Sequence, residues 1–367
     1  MGILFRRLAI VGIVALGSLA LVTPVQGQVT PAQGIEPIDD TPFVKVGGTL
    51  FLDYTYTDQR SGLDVNGDEF DPTSFNVGRA YINVTGQVHH LVSFRITPDI
   101  VRETGTGSSI NGSYTFRLKY AFGQLNFDQW MGKGAWLRFG EQQTPYVEYT
   151  ENIYRYRFQG PIFADRETYL TSSDAGISFH YNFPSNFGDV HVGYYNGDGY
   201  SKADANDQKA IQARVSFRPT PGVAVLQGLR VTAFYDGDDY ASGDAKKRLV
   251  GQVTFEHKYV NAGVEYLDAK DHISDAAPRI NGKGYSVWVT PRTAFGLEGL
   301  LRYDDLEPND ALDNAHKQRS IAGVAYWLPV VKGVQAAALL DYEQVKYDDP
   351  LAKPKEVRYA LHTLIQF

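Results

Sequence analysis

Apolar and polar residues alternate with a period of two along most of the chain. In the segment 43–57, Val44, Val46 and Leu50 share one face, while Lys45 lies on the other. Such alternation predicts strands with one apolar and one polar face. The segments run to about ten residues or more, longer than the five or six typical of globular strands. That length matches a tilted strand that crosses a bilayer.

Sixteen such segments are predicted. They cover residues 43–57, 74–88, 91–97, 114–127, 135–143, 174–183, 189–196, 208–218, 229–236, 247–258, 260–268, 283–291, 295–304, 317–328, 333–346 and 356–367. The odd-numbered joints are long and polar, at 58–73, 98–113, 144–173, 197–207, 237–246, 269–282, 305–316 and 347–355, whereas the even-numbered joints are short. Outer-membrane barrels alternate short periplasmic turns with long external loops in this way. A soluble β-sandwich has no reason to do so. The prediction is an all-β fold, a 16-stranded antiparallel transmembrane β-barrel over 43–367.

The N-terminus has the pattern of an export signal. Arg6 and Arg7 precede an apolar run over 8–22, and small residues near Gly27 suit cleavage before Gln28. A transmembrane helix is the alternative, but 15 apolar residues are fewer than the roughly 20 that a bilayer requires. We therefore predict a signal peptide over 1–27 and a periplasmic linker over 28–42. The mature chain has 33 basic and 42 acidic residues, a net charge of −9.

Composition excludes several functional classes. The chain has no Cys, so thiolate metal sites, disulfides and cysteine nucleophiles are absent. Its eight His are scattered, and no hydrolase, zinc-protease or phosphate-loop motif occurs. The negative net charge argues against nucleic-acid binding. We expect no catalytic residues, no metal and no cofactor.

The last strand resembles an assembly signal. Tyr359, Leu361, Ile365 and Phe367 alternate towards one face, and Phe367 ends the chain. A terminal aromatic residue with this spacing resembles the segment that outer-membrane barrels present to their assembly machinery. That machinery and the lipid and lipopolysaccharide of the outer membrane are the expected partners.

Residues 74–183 resemble the phosphate-selective porin O and P family of Gram-negative outer membranes. The matching stretches are 75–81, Gly86, 118–122, 137–148, 165–166 and 174–177. The resemblance covers the first half of the chain well and the second half only through strand spacing. It implies a 16-stranded homotrimeric porin in which the joint 144–173 folds inward as a constriction loop. Arg155, Arg157 and Arg166 would then reach the pore. A surface loop with mixed charges is the alternative.

Alternation also assigns charged residues to the barrel interior. It directs a basic group inward on the second to fifth strands, namely Arg79, Arg95, Arg117, Lys119 and Arg138. Acidic residues, among them Glu298 and Asp341, point inward on later strands. Walls of opposite charge would create a field across a narrowed pore. The alternative is that these groups simply pair and stay solvated.

The expected function is passive diffusion of small hydrophilic solutes and ions, with anions such as phosphate or neutral solutes as cargo. The acidic net charge departs from what a dedicated phosphate channel requires. An outer-membrane barrel enzyme or adhesin, with its activity in the external loops, is the alternative. Conductance in a planar bilayer separates the two.

Overall fold

The structure is a computed structural model that describes residues 41–367 except 60, 106, 205, 242–243, 330 and 332. The predicted signal peptide and most of the predicted linker lie outside the described residues. Across those residues, sixteen antiparallel strands close into one barrel. The barrel strands are β1 (Phe43–Thr57), β4 (Thr73–His89), β5 (Val92–Arg102), β6 (Tyr114–Asn126), β7 (Trp136–Gln143), β8 (Ser173–Asn182), β9 (Gly188–Tyr195), β10 (Ala210–Phe217), β11 (Leu229–Ala241), β12 (Asp244–His257), β13 (Val260–Asp271), β14 (Ile280–Pro291), β15 (Leu297–Glu307), β16 (Lys317–Trp327), β17 (Gln335–Tyr347) and β18 (Glu356–Gln366). The fold prediction is confirmed.

Short elements lie in the connections between these strands. A two-stranded hairpin of β2 (Gly62–Leu63) and β3 (Glu69–Phe70) lies in the first long loop. The helices are α1 (Asp128–Met131), α2 (Val147–Tyr154) and α3 (Phe163–Arg166), and 3-10 turns occur at Pro184–Asn186 and Asp349–Leu351. Among the described residues, no helix is both long and apolar enough to cross a membrane.

Two strands continue well past their predicted ends. β5 runs to Arg102 through a bulge at Thr97 and Pro98. A bulge accommodates the proline, which has no N–H to donate. β11 runs to Ala241 and pairs with β12 almost to the turn, so the predicted long joint 237–246 is wrong. The connection between β10 and β11, over 218–228, is longer than the short turn expected on that side.

Burial in the barrel is the reverse of that in a soluble protein. Outward side chains are apolar and exposed, as with Val46 at 69% and Leu340 at 60%. Inward positions are polar and buried, such as Arg214 and Glu298. The outer surface suits lipid and the interior suits water and charge.

The C-terminus closes the barrel against β1. The Phe367 N–H donates to the Gly48 carbonyl at 3.0 Å, and the Gly48 N–H donates to the Phe367 carbonyl at 2.9 Å. A Cβ on Gly48 would lie 2.6 Å from the Phe367 ring, so a larger residue at this position would displace the ring. Tyr359, Leu361, Ile365 and Phe367 are exposed on the outward face. Their recognition by assembly machinery stays a prediction.

Deleting Phe367 should impair closure more than Phe367→Ala does. Deletion removes two backbone hydrogen bonds and the ring, about 2 kcal/mol or more, whereas alanine retains both hydrogen bonds. The heat-modifiable folded fraction in purified outer membranes measures the effect. Gln366→Ala, an exposed change in the same strand, is the control. Equal folded yield for all three variants would contradict this account of closure.

Candidate functional site

The connection between β7 and β8, residues 144–172, lies inside the barrel and is called the infolded loop below. The helix α2 is amphipathic, because Val147, Thr150 and Ile153 are buried while Glu148 is only part-buried. It ends at Arg155, whose left-handed backbone (φ 69°) turns the chain. The loop therefore presents one apolar side and one acidic edge.

Aromatic side chains attach the apolar side of the loop to the barrel wall. Tyr146 stacks on Phe234 of β11 with ring centres 5.2 Å apart, and Tyr154 meets Trp288 of β14 edge-on at 5.2 Å. Further along, Phe158 lies 5.7 Å from Trp327 of β16. These contacts span β11 to β16, so the loop covers one side of the lumen.

Carboxylates of β15 and β17 hold the same side of the loop. We call Glu298, Asp341 and Glu343 the acidic wall. Arg155 donates to Glu298 at 3.1 Å, and Arg166 donates to Glu343 at 2.9 Å. These are charge-assisted bonds between largely buried groups, which are the strong ones.

Gln159 bridges two members of the acidic wall, with its side-chain amide 2.9 Å from both Asp341 and Glu343. Glu343 also accepts hydrogen bonds from Arg319 of β16 and Arg358 of β18. It thereby links the loop to three strands of the wall. Glu343 is the most connected carboxylate of this network.

The acidic wall does not line the open lumen, contrary to the sequence prediction for Glu298 and Asp341. These residues are only 3% and 6% exposed because the infolded loop covers them. Arg155 and Arg166, also predicted to reach the pore, are instead paired with this wall. The alternation of apolar and polar residues identified which side chains point into the barrel, but it could not show that the infolded loop covers the acidic ones.

The opposite side of the lumen carries the basic wall: Arg79, Arg95, Arg117, Lys119 and Arg138 on β4 to β7. The side chains of Arg79, Arg95 and Arg117 are 22%, 23% and 26% exposed. Arg138 is half-buried, with its guanidinium 3.8 Å above the Trp136 ring. Most of the basic wall therefore keeps access to water, unlike the acidic wall.

Tyrosines and one carboxylate position the basic wall. Asp99 is 2.8 Å from Arg79 and 3.6 Å from Arg117. Arg117 also donates to the Tyr200 hydroxyl at 2.7 Å. Lys119, which is 3% exposed, donates to the Tyr81 hydroxyl at 3.0 Å. The cations are thus held in place without being neutralised one for one.

The acidic edge of the loop faces this basic wall. Glu148 lies 3.6 Å from Arg95. Glu151 contacts Arg157 at 2.5 Å, and Arg157 is 3.8 Å from Asp165. Burial raises the pKa of Glu151 to about 7, despite the opposing effect of Arg157. Partly exposed side chains of both signs therefore face each other on this side of the barrel interior.

A buried cluster that sequence reasoning missed holds the start of the loop. Arg214 of β10 donates to the Pro145 carbonyl at 2.7 Å and lies 3.7 Å above the Tyr149 ring. Arg214 also pairs with Asp189, which in turn contacts His180 at 3.1 Å. Arg214 alternates with apolar neighbours and shares the polar face of its strand with Gln212 and Ser216, and that alternation is the one signal in the sequence. Among the described residues, no group of three His, Asp or Glu side chains could hold a metal.

Comparisons with known proteins show the fold. An anion-selective porin from Comamonas acidovorans has 14% identity and a TM-score of 0.59, covering 89% of this chain and all of that one. OmpF of Salmonella typhi, solved with daunomycin, has 14% identity and a TM-score of 0.61, covering 91% of this chain and all of OmpF. OmpT, an outer-membrane protein of Vibrio cholerae, has 13% identity and a TM-score of 0.59, covering 91% of this chain and all of OmpT. All three share the closed barrel. No protein-family model matches the chain, and no curated protein matches it.

Glu343→Gln should loosen the infolded loop. The amide cannot replace hydrogen bonds from three arginines, each worth about 1.5–3 kcal/mol when charged. Amide hydrogen exchange over residues 156–166 should therefore be about 10–100-fold faster. Glu356→Gln is the control, because that exposed side chain bonds only to Tyr347 among the contacts described. Unchanged exchange in Glu343→Gln would mean that the aromatic contacts alone hold the loop.

Proposed function

We propose that this protein is an outer-membrane porin, exported through its N-terminal signal, that lets small hydrophilic solutes and ions diffuse passively. The observation that supports the proposal is the set of charged side chains on the infolded loop and the basic wall that stay partly exposed inside the barrel, and the passage is proposed to run along them. Barrels of this size enclose a water-filled lumen, and an infolded loop narrows it. Passive diffusion needs no catalytic residue, so the protein is proposed to be a channel rather than an enzyme.

We further propose that the passage prefers anions, inorganic phosphate among them. Five partly exposed cationic side chains face it, namely Arg79, Arg95, Arg117, Arg138 and Arg157, against three partly exposed acidic ones, namely Glu148, Glu151 and Asp165. The acidic wall is excluded from this balance because the loop covers and pairs it. A local positive excess can therefore coexist with the net negative charge of the whole chain. One protein of the same fold is an anion-selective porin from Comamonas acidovorans.

A homotrimer is the proposed assembly. The resemblance to the phosphate-selective family implies it, and one structure of the same fold is described as the trimer form of OmpT from Vibrio cholerae. That structure has 13% identity and a TM-score of 0.54. The match covers 89% of this chain and 100% of the OmpT chain.

Reversal potential in a planar bilayer with a salt gradient tests both the channel and its selectivity. The purified protein should give discrete conductance steps and an anion-preferring reversal potential, and added phosphate should reduce the conductance through block. Arg95→Gln with Arg117→Gln should shift the potential towards cations, more at 0.1 M than at 1 M salt, because the Debye length falls from about 10 Å to 3 Å.

Lys353→Gln is the matched control, because this lysine is exposed in an external loop and bulk solvent screens it. Arg248, which lies near the external end of its strand, would not serve as this control. It is buried, and its guanidinium donates to the Tyr169 carbonyl of the infolded loop at 3.2 Å. Absence of conductance steps would overturn the proposal that the protein is a channel and would favour a barrel enzyme or adhesin. Steps with an unchanged potential in the double variant would overturn only the role of the basic wall.

Selectivity should also depend on pH through Glu151. Its carboxyl has a pKa raised to about 7, so it is mostly ionised at pH 8 and mostly neutral at pH 6. Lowering the pH across this range removes a negative charge beside the passage, and anion preference should rise. Reversal potentials at pH 8 and pH 6 measure the change. Glu151→Gln should show the low-pH selectivity at both values, and a full pH effect in that variant would contradict the assignment.

A further inference from the structure

One buried guanidinium in the barrel has hydrogen-bond donors without partners. Arg292 follows β14 and begins the short turn that leads to β15, and its side chain is only 7% exposed. Its Nε and Nη2 atoms are buried and have no hydrogen-bond partner among the described residues. Buried polar groups are nearly always hydrogen-bonded, and a buried charge needs a partner of opposite sign. Arg292 therefore requires an acceptor that its described neighbours do not supply.

The carboxylate nearest to Arg292 is shared with a second arginine. The Arg292 Nε atom lies 3.9 Å from Oε1 of Glu298, which is beyond hydrogen-bond distance. Arg155 of the infolded loop donates to the same Oε1 atom at 3.1 Å. The Tyr156 hydroxyl donates to the other oxygen of Glu298, also at 3.1 Å. Two guanidinium groups therefore face one carboxylate, and that carboxylate already accepts hydrogen bonds from other groups.

The charges around Arg292 do not balance. Glu256 of β12 is the other carboxylate that acts on it, and Glu256 pairs with Arg230 of β11. Burial lowers the pKa of Arg292, and the nearby Arg155 lowers it further, against the opposing effect of Glu298. A water molecule could accept the unmet hydrogen bonds, but it would not offset the positive charge. An anion would do both.

Arg155 and Arg292 suit an anion that carries several oxygen atoms. A guanidinium presents its N–H groups as a planar fork, which matches the oxygens of phosphate or a carboxylate in pairs. The Arg155 guanidinium lies 4.2 Å from the centre of the Trp327 ring, which supports it from one side. Its side chain is 21% exposed, so this end of the cluster is reachable from water.

We propose that Arg155 and Arg292 together bind a small oxyanion such as inorganic phosphate. The anion would accept hydrogen bonds from Nε and Nη2 of Arg292 and would balance the second guanidinium that Glu298 leaves uncompensated. This site lies at the short-turn end of β14 to β16, far around the barrel from the basic wall on β4 to β7. The inference rests on the proposed function, since it assumes that anions enter the lumen, and it adds a second anion site on the wall that the infolded loop covers.

Tryptophan fluorescence of the purified, folded protein in detergent tests the site, because Trp327 adjoins Arg155. Inorganic phosphate, titrated at constant ionic strength, should produce a saturable change in emission. Arg292→Gln should weaken the apparent affinity at least about tenfold, because charge-assisted hydrogen bonds are lost. Lys258→Gln is the matched control, since it removes the same charge from an exposed position in the neighbouring short turn, and it should bind phosphate as the unmodified protein does.

The basic wall could also bind phosphate, so the double variant Arg95→Gln with Arg117→Gln is titrated alongside. It should keep the saturable change. A response lost in this double variant but kept in Arg292→Gln would assign phosphate to the basic wall and overturn the inference. No saturable change in the unmodified protein would overturn it as well, and would leave solvent alone as the partner of Arg292.

Arg292→Lys guards against a glutamine variant that does not fold. Lysine keeps the charge but loses the paired donors, so its affinity should fall between those of the unmodified protein and Arg292→Gln, and an unchanged affinity would overturn the role of the guanidinium. Heat-modifiable migration shows which variants are folded. Conductance separates this inference from the channel proposal, because normal steps without phosphate binding would overturn only the site.

Discussion

The pairing between the infolded loop and the acidic wall determines where water and charge can lie in this barrel. Glu298, Asp341 and Glu343 would otherwise make one side of the lumen strongly negative. Because loop arginines pair with Glu298 and Glu343 and the loop residue Gln159 donates to Asp341, that side becomes a packed interior. The basic wall then stays as the solvated surface opposite. Selectivity, if the channel is as proposed, follows from which wall the loop covers rather than from the composition of the whole chain.

Buried ion pairs of this kind are costly to assemble and costlier to break. Desolvation of each charge offsets much of the attraction, but removal of one partner leaves the other uncompensated. The loop therefore has one strongly preferred position, in which every carboxylate of the acidic wall accepts a hydrogen bond. Aromatic contacts such as that of Tyr146 with Phe234 bury further apolar surface, but they fix the position of the loop less strictly than the ion pairs do. Charge and ring contacts together explain how 29 residues that include only two short helices stay in place.

The strands could be predicted from the sequence because their period of two is set by local geometry. The errors arose where local signals mislead, as at Pro98, which suggests a strand end but lies at a bulge. The covering of the acidic wall could not be predicted. Arg155 and Glu298 are 143 residues apart in sequence, and alternation carries no information about such partners.

The contact between Gly48 and Phe367 has a consequence for biogenesis. Thr49 of β1 pairs with Gln366 of β18, so this seam forms only after all the strands between them have been made. Closing a loop of this length is entropically slow compared with forming neighbouring hairpins. Until then both end strands carry free edges that can pair with other chains. Any chain that stops before β18 therefore keeps the facing edges of β1 and β17 unpaired.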